Sequence, residues 1–166
     1  MDPRDGRRIV QLAQRRHGVL TPEDAERLGI GWRALRRYVL GLGGGSLYRG
    51  TVHLPTFSGY LLRCAAACAA VGEGALVAGR SAARCWSINP RAPIPVLVRV
   101  PPRAPIPSLA KVAAFRAELS PADRATVDGV PVTAVPRTLL DLARCAGPAE
   151  LDETVALAVQ QRLCDL

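Results

Sequence analysis

Apolar residues in the first third of the chain recur at helical spacing. In residues 6–17, GRRIVQLAQRRH, Ile9, Leu12 and Ala13 share one face while Arg7, Arg8, Arg15 and Arg16 lie elsewhere, which predicts an amphipathic helix ended by Gly18. Gly18-Val19-Leu20 is too short for a helix and suits a brief strand. The TPED segment follows, with Thr21 as N-cap, Pro22 at the first helical position and Asp24 where a capping box places an acid. This short helix runs to Leu28 and Gly29 stops it; another starts at Trp32 and reaches about Leu40. In that last helix Trp32, Leu35 and Val39 form an inward stripe, and Arg33, Arg36 and Arg37 fall on the other side. Two short helices around a glycine-containing turn, after a longer one, predict a helix-turn-helix.

Beyond it, Gly41–Gly45 is a glycine-rich connector. Leu47-Tyr48-Arg49 and Thr51-Val52-His53-Leu54 are β-favouring runs around Gly50, so the pattern predicts a hairpin, or wing, with Arg49-Gly50 near its tip and Pro55 at its end. Residues 56–71 read as an Ala-rich helix, 75–77 as a short strand, 80–86 as a short helix and 95–100 as a strand. PPRAPIP at 101–107 is an extended proline-rich loop, and Val112–Leu119 a further strand. Residues 126–133 carry Asp128-Gly129 between β-formers, a hairpin signal, and helices are predicted over 136–144 and 148–163. The fold class is α+β, a winged helix-turn-helix over 1–54 followed over 55–166 by a small α+β domain with a short mixed or antiparallel sheet.

Charge changes this picture more than composition does. Of 166 residues 49% are hydrophobic, enough for a buried core, and the aromatic share of 4% leaves that core to Leu, Val, Ile and Ala. The net charge is +8, carried by Arg in 21 of 22 cases. Residues 1–54 contribute +5, 55–116 contribute +7, and 117–166 contribute −4, so the first two-thirds invite a polyanion. An Arg-for-Lys bias also follows from a GC-rich genome, and an isolated Arg-rich helix is more often a solvated face. The turn before this helix and the wing after it favour groove insertion, where Arg33, Arg36 and Arg37 would read base edges. Arg7, Arg8, Arg15, Arg16 and Arg49 would then position the module on phosphates.

Other chemistries find little support. The five cysteines, Cys64, Cys68, Cys85, Cys145 and Cys164, lack zinc-knuckle spacing, and His17 and His53 do not complete a site, so neither metal nor cofactor is expected. GALVAGRS at 74–81 has phosphate-loop spacing, but Arg80 stands for the lysine and neither the preceding strand nor the following helix is long enough. GLGGGS at 41–46 is not followed by a helix. The single Lys111 has no nearby acid pair, as a metal-dependent nuclease would need, and neither His sits in a nucleophile context; a non-enzyme is expected. No apolar run approaches the roughly 20 residues that cross a bilayer, and no signal peptide is visible, so a soluble, cytoplasmic protein is expected.

The segment LAQRRHGVLTPEDAERLGIGWRALRRYVLGL, continued by LYRGTVHLP, resembles the N-terminal winged-helix domain of AbiEi-type antitoxins of the abortive-infection class. VAGRSAARCWSI and VDGVPVTAVPRTLLDLAR resemble the domain that follows it in actinobacterial members. The resemblance implies that Arg33, Arg36 and Arg37 match the DNA-contacting helix and Arg49 and Gly50 the wing. It also implies a transcriptional repressor of its own operon on duplex DNA, with inverted repeats as the form of operator, and an antitoxin against a nucleotidyltransferase toxin. The alternative is a protein-interaction antitoxin that neutralises the toxin through the second domain. Trp32 stands where relatives often place a small polar residue. Many relatives continue into an endonuclease-like module where this chain stops, which implies a compact form or a trimmed one.

Overall fold

The computed structural model describes residues 3–91 and 93–164. Among them the fold is α+β, with seven α-helices and two small sheets. The chain forms two compact units, residues 1–72 with 128–130, and residues 73–127 with 131–166. The unit border therefore falls after Gly72, whereas the sequence pattern predicts it at 54/55; the Ala-rich helix groups with the first unit.

The first unit contains α1 (Pro3–Gln14), β1 (Val19–Leu20), α2 (Pro22–Leu28), α3 (Trp32–Gly41), β2 (Val52–His53) and α4 (Gly59–Val71). Helix α1 stops three residues short of the predicted end at His17. The Gly18 N–H reaches back to the Ala13 carbonyl at 2.8 Å across the left-handed His17 (φ 48°), a bond that closes a helix. The expected stripes are inside: Ile9, Ala13, Leu35 and Val39 are fully buried, and Leu12 and Trp32 pack at the margin of the same cluster with Leu20, Ala25, Val52 and Leu54. Strands β1 and β2 pair antiparallel, Val19 opposite His53 and Leu20 opposite Val52.

The second unit contains β3 (Leu76–Val77), α5 (Gly79–Cys85), β4 (Val96–Val100), β5 (Val112–Arg116), β6 (Arg124–Val127), β7 (Val130–Thr133), α6 (Val135–Ala143) and α7 (Pro148–Gln160). Its sheet is mixed, in the order β5-β4-β3-β7-β6, with β3 antiparallel to β4 and parallel to β7, and β4 parallel to β5. Val96, Val98 and Val100 alternate inward on β4. Asp128 (φ 47°) and Gly129 (φ 81°) are both left-handed, as a tight hairpin turn requires, so the Asp-Gly signal marks a real turn. Ala83, Ile88, Val135, Leu142 and Ala158 form a buried cluster of this unit. The Trp86 indole N–H donates to the Thr133 carbonyl at 2.9 Å, and the Thr138 hydroxyl donates to the same carbonyl at 3.0 Å. That carbonyl joins the two segments singled out by resemblance, RSAARCW and VPVTAVPRT.

Candidate nucleic-acid interface

The turn between α2 and α3 is built from glycine conformation and a buried carboxylate. Gly29 is left-handed (φ 70°), and the Ile30 N–H reaches the Ala25 carbonyl at 2.9 Å, which ends α2 and aims the chain into α3 at the Gly31 N-cap. At the other end of α2, Asp24 Oδ2 accepts from the Thr21 backbone N–H at 3.0 Å and from the Thr21 hydroxyl at 3.1 Å. The same carboxylate, wholly buried, accepts from Arg16 at 3.1 Å and from Arg27 at 3.5 Å. TPED thus caps α2 and also ties it to the residues that follow α1.

On α3, Arg33, Arg36 and Arg37 are exposed, while Leu35 and Val39 between them are fully buried. Positions i, i+3 and i+4 share one helical face, so the three guanidinium groups leave the same side of the helix. Among the described residues the ion pairs of the first unit are Arg8–Asp5, Arg16–Asp24 and Arg27–Asp24, and none takes a cation from α3. The cationic face of α3 is therefore available to an external anion.

The wing is smaller than predicted. Leu47-Tyr48-Arg49 is not a strand; the first strand of the wing is the single residue Gly45, bridged to His53. Hydrogen bonding within the loop explains the difference. The Thr51 N–H and hydroxyl both donate to the Tyr48 carbonyl, at 3.1 and 2.8 Å, and the Ser46 hydroxyl donates to it at 3.1 Å. These bonds close a turn over 48–51 with exposed Arg49 and left-handed Gly50 (φ 78°) at its centre, the tip position expected for them. A side chain at Gly44 would strike the His53 carbonyl oxygen, and one at Gly45 would come within 2.6 Å of the His53 ring. The glycine-rich connector serves this close approach.

The flanking cations divide. Arg7 and Arg15 are exposed; Arg8 is exposed with Asp5 at 3.9 Å, a weak surface pair. Arg16 differs from expectation, because its Nη1 is engaged by buried Asp24 and its first role is to hold α2 in place. Two cations were missed by the sequence reading. Arg27 extends from α2, with Asp24 at 3.5 Å and most of its side chain exposed. Arg63 on α4 acts electrostatically on the wing residue Tyr48, whose phenol is pushed up by burial and drawn down by that guanidinium. The signal for Arg63 was its isolation as the sole charge on an apolar helix.

Arg80, the cation of the phosphate-loop lookalike, lies in the seven-residue α5 and is held by Glu150 through Nε and Nη2, both at 2.8 Å. Arg80, with lesser help from Asn89 and Arg91, holds the Glu150 carboxyl down at about 2 from its ordinary 4.5. This guanidinium is engaged internally. No cluster of three His, Cys, Asp or Glu side chains capable of holding a metal ion occurs among the described residues. No helix among them is long and apolar enough to cross a membrane.

Among solved structures, the chain is similar to the RV2827C protein from Mycobacterium tuberculosis, with a TM-score of 0.54 and 23% identity, over 98% of this chain and 71% of that one. At that identity the likeness speaks for the fold. No curated protein matches the chain. Residues 7–40, which carry most of α1 and all of α2 and nearly all of α3, match the family model described as transcriptional regulator, AbiEi antitoxin, and it is to this family that the segment is similar.

Proposed function

We propose that the chain is a sequence-specific DNA-binding repressor, acting without enzymatic chemistry as the autoregulatory antitoxin of a toxin–antitoxin operon. The observation that carries this reading is the exposed trio Arg33, Arg36 and Arg37 on one face of α3, backed by buried Leu35 and Val39 and free of internal carboxylates among the described residues. Guanidinium forks at that position suit guanine edges in a major groove, and Arg49 at the wing tip suits a neighbouring phosphate. The family match over 7–40 supports the regulatory class.

The test is a fluorescence-anisotropy titration with duplex DNA from upstream of the chain's own gene, beside a shuffled duplex of the same composition. Arg33→Ala or Arg37→Ala should cost about 1–3 kcal/mol on the upstream duplex and flatten the preference over the shuffled one. Equal losses on both duplexes would remove base reading from the account. The antitoxin part is tested separately, by co-expression with a nucleotidyltransferase encoded beside the gene. Rescue of growth is expected, and rescue by a variant lacking the α3 cations would assign neutralisation to the second unit.

A further inference from the structure

Between Glu73 and Glu118 the chain has no acidic residue and seven cations, Arg80, Arg84, Arg91, Arg99, Arg103, Lys111 and Arg116. The fold pairs three of them internally and partly buries a fourth. Arg80 and Arg91 pair with Glu150, Arg99 pairs with Asp141 at 3.2 Å, and half-buried Arg84 has a buried Nε without a hydrogen-bond partner. Arg103, Lys111 and Arg116 remain; all three are exposed and take part in none of the ion pairs among the described residues.

Topology sets these three along the β5 edge of the sheet in the second unit. Strands β4 and β5 run parallel, with Val96 opposite Val112 and Val100 opposite Arg116. Arg116 and Arg103, the latter just past Val100, therefore stand at one end of the strand pair. Lys111 stands at the other end, where its carbonyl accepts from the Val96 N–H at 2.9 Å. At about 3.3 Å per residue the two ends are about 13 Å apart, a length over which one DNA strand presents about four phosphates. Arg103 rides on the proline-rich connection 101–111, whose fixed backbone angles hold it out with little freedom left to lose on binding. Ile106, on the same connection as Arg103, is exposed and offers apolar surface to a sugar face, whereas Phe115 points to the opposite face from Arg116 and lies under the Arg99 guanidinium at 5.9 Å.

We propose that the β4–β5 side of the second unit is a second contact surface for duplex DNA, in which Arg103, Lys111 and Arg116 neutralise backbone phosphates. It rests on the DNA-binding reading above and adds phosphate contacts without base reading.

The experiment is a salt titration of DNA affinity with the full chain, on the upstream and shuffled duplexes. The variants are R103A/K111A/R116A and the charge-keeping R103K/R116K. Each lost phosphate contact removes about 0.9 from the log–log salt slope, so the triple alanine variant should lose about 2 to 3 on both duplexes while keeping its preference between them. The charge-keeping variant should retain the wild-type slope, which separates a lost contact from a damaged fold. An unchanged slope in the triple variant, with wild type binding normally, overturns this inference and leaves the α3 reading standing. Loss of poly-glutamate binding with DNA affinity intact would assign the surface to an acidic protein and also overturn it. Wild type that binds neither duplex overturns both.

Discussion

The carboxylate of Asp24 is fully buried, yet it receives the Thr21 N–H, the Thr21 hydroxyl, Arg16 and Arg27. Removing it would leave a buried cap unmade and Arg16 without its anchor, while Arg16 itself remains partly hydrated. Asp24→Ala should therefore lower stability by about 2–3 kcal/mol, read as a shift in the urea midpoint at constant slope. A change within about 0.5 kcal/mol would show that the carboxylate holds nothing in place. Glu150 supplies a pH-dependent counterpart in the second unit. Its folded-state carboxyl sits at about 2 against an ordinary 4.5, so its contribution is present in full above the ordinary value and is lost as pH falls toward the folded one. Urea midpoints measured downward through that interval should fall more steeply for wild type than for Glu150→Gln. Parallel profiles would mean that the Arg80 pair adds nothing to folding. Neither role was fully legible in the sequence. Asp24 showed itself as a capping acid, but its guanidinium partner Arg16 is contributed by the preceding segment, and Arg80 is separated from Glu150 by 70 positions. Local spacing records who caps a helix, and it carries no trace of a partner brought in by tertiary folding.

At the scale of elements, α2 was readable to the residue because Thr21-Pro22 opens it and Gly29 closes it with left-handed geometry. Helix α3 was readable because its buried and exposed positions segregate at helical spacing. The wing was not. Leu47-Tyr48-Arg49 has β-forming side chains, but the hydroxyls of Ser46 and Thr51 bind the Tyr48 carbonyl and hold the segment as a turn. The parallel pairing of β4 and β5 through a helix-free, proline-rich connection was likewise hidden, since register depends on contacts distant in sequence. Two predictions belong here. Leu35→Ala, at a wholly buried position on the inner face of α3, should cost about 2–4 kcal/mol and lower DNA affinity by loosening the helix that carries the cations. Gly44→Ala should displace the wing, because the added methyl meets the His53 carbonyl. It should weaken DNA binding more than it lowers the melting temperature, and the opposite ranking would argue that the wing is structural only.

Across the whole molecule, cations are disposed by use. Some are absorbed by carboxylates within their own unit, Arg16 by Asp24, Arg80 by Glu150 and Arg99 by Asp141. Others, on α3 and at the wing tip, are exposed and unopposed among the described residues. A net charge of +8 alone would announce only attraction to anions; the partition between engaged and free cations gives that attraction an address. The most direct measurement is a nuclear magnetic resonance titration of the isotope-labelled full chain with the upstream duplex, following backbone amides and guanidinium Nε–H groups. The account predicts that the largest shifts fall on α3 and the wing tip, with intermolecular contacts from Arg33, Arg36 and Arg37 to base protons in the major groove. Saturable binding that leaves the resonances of α3 unmoved would contradict it.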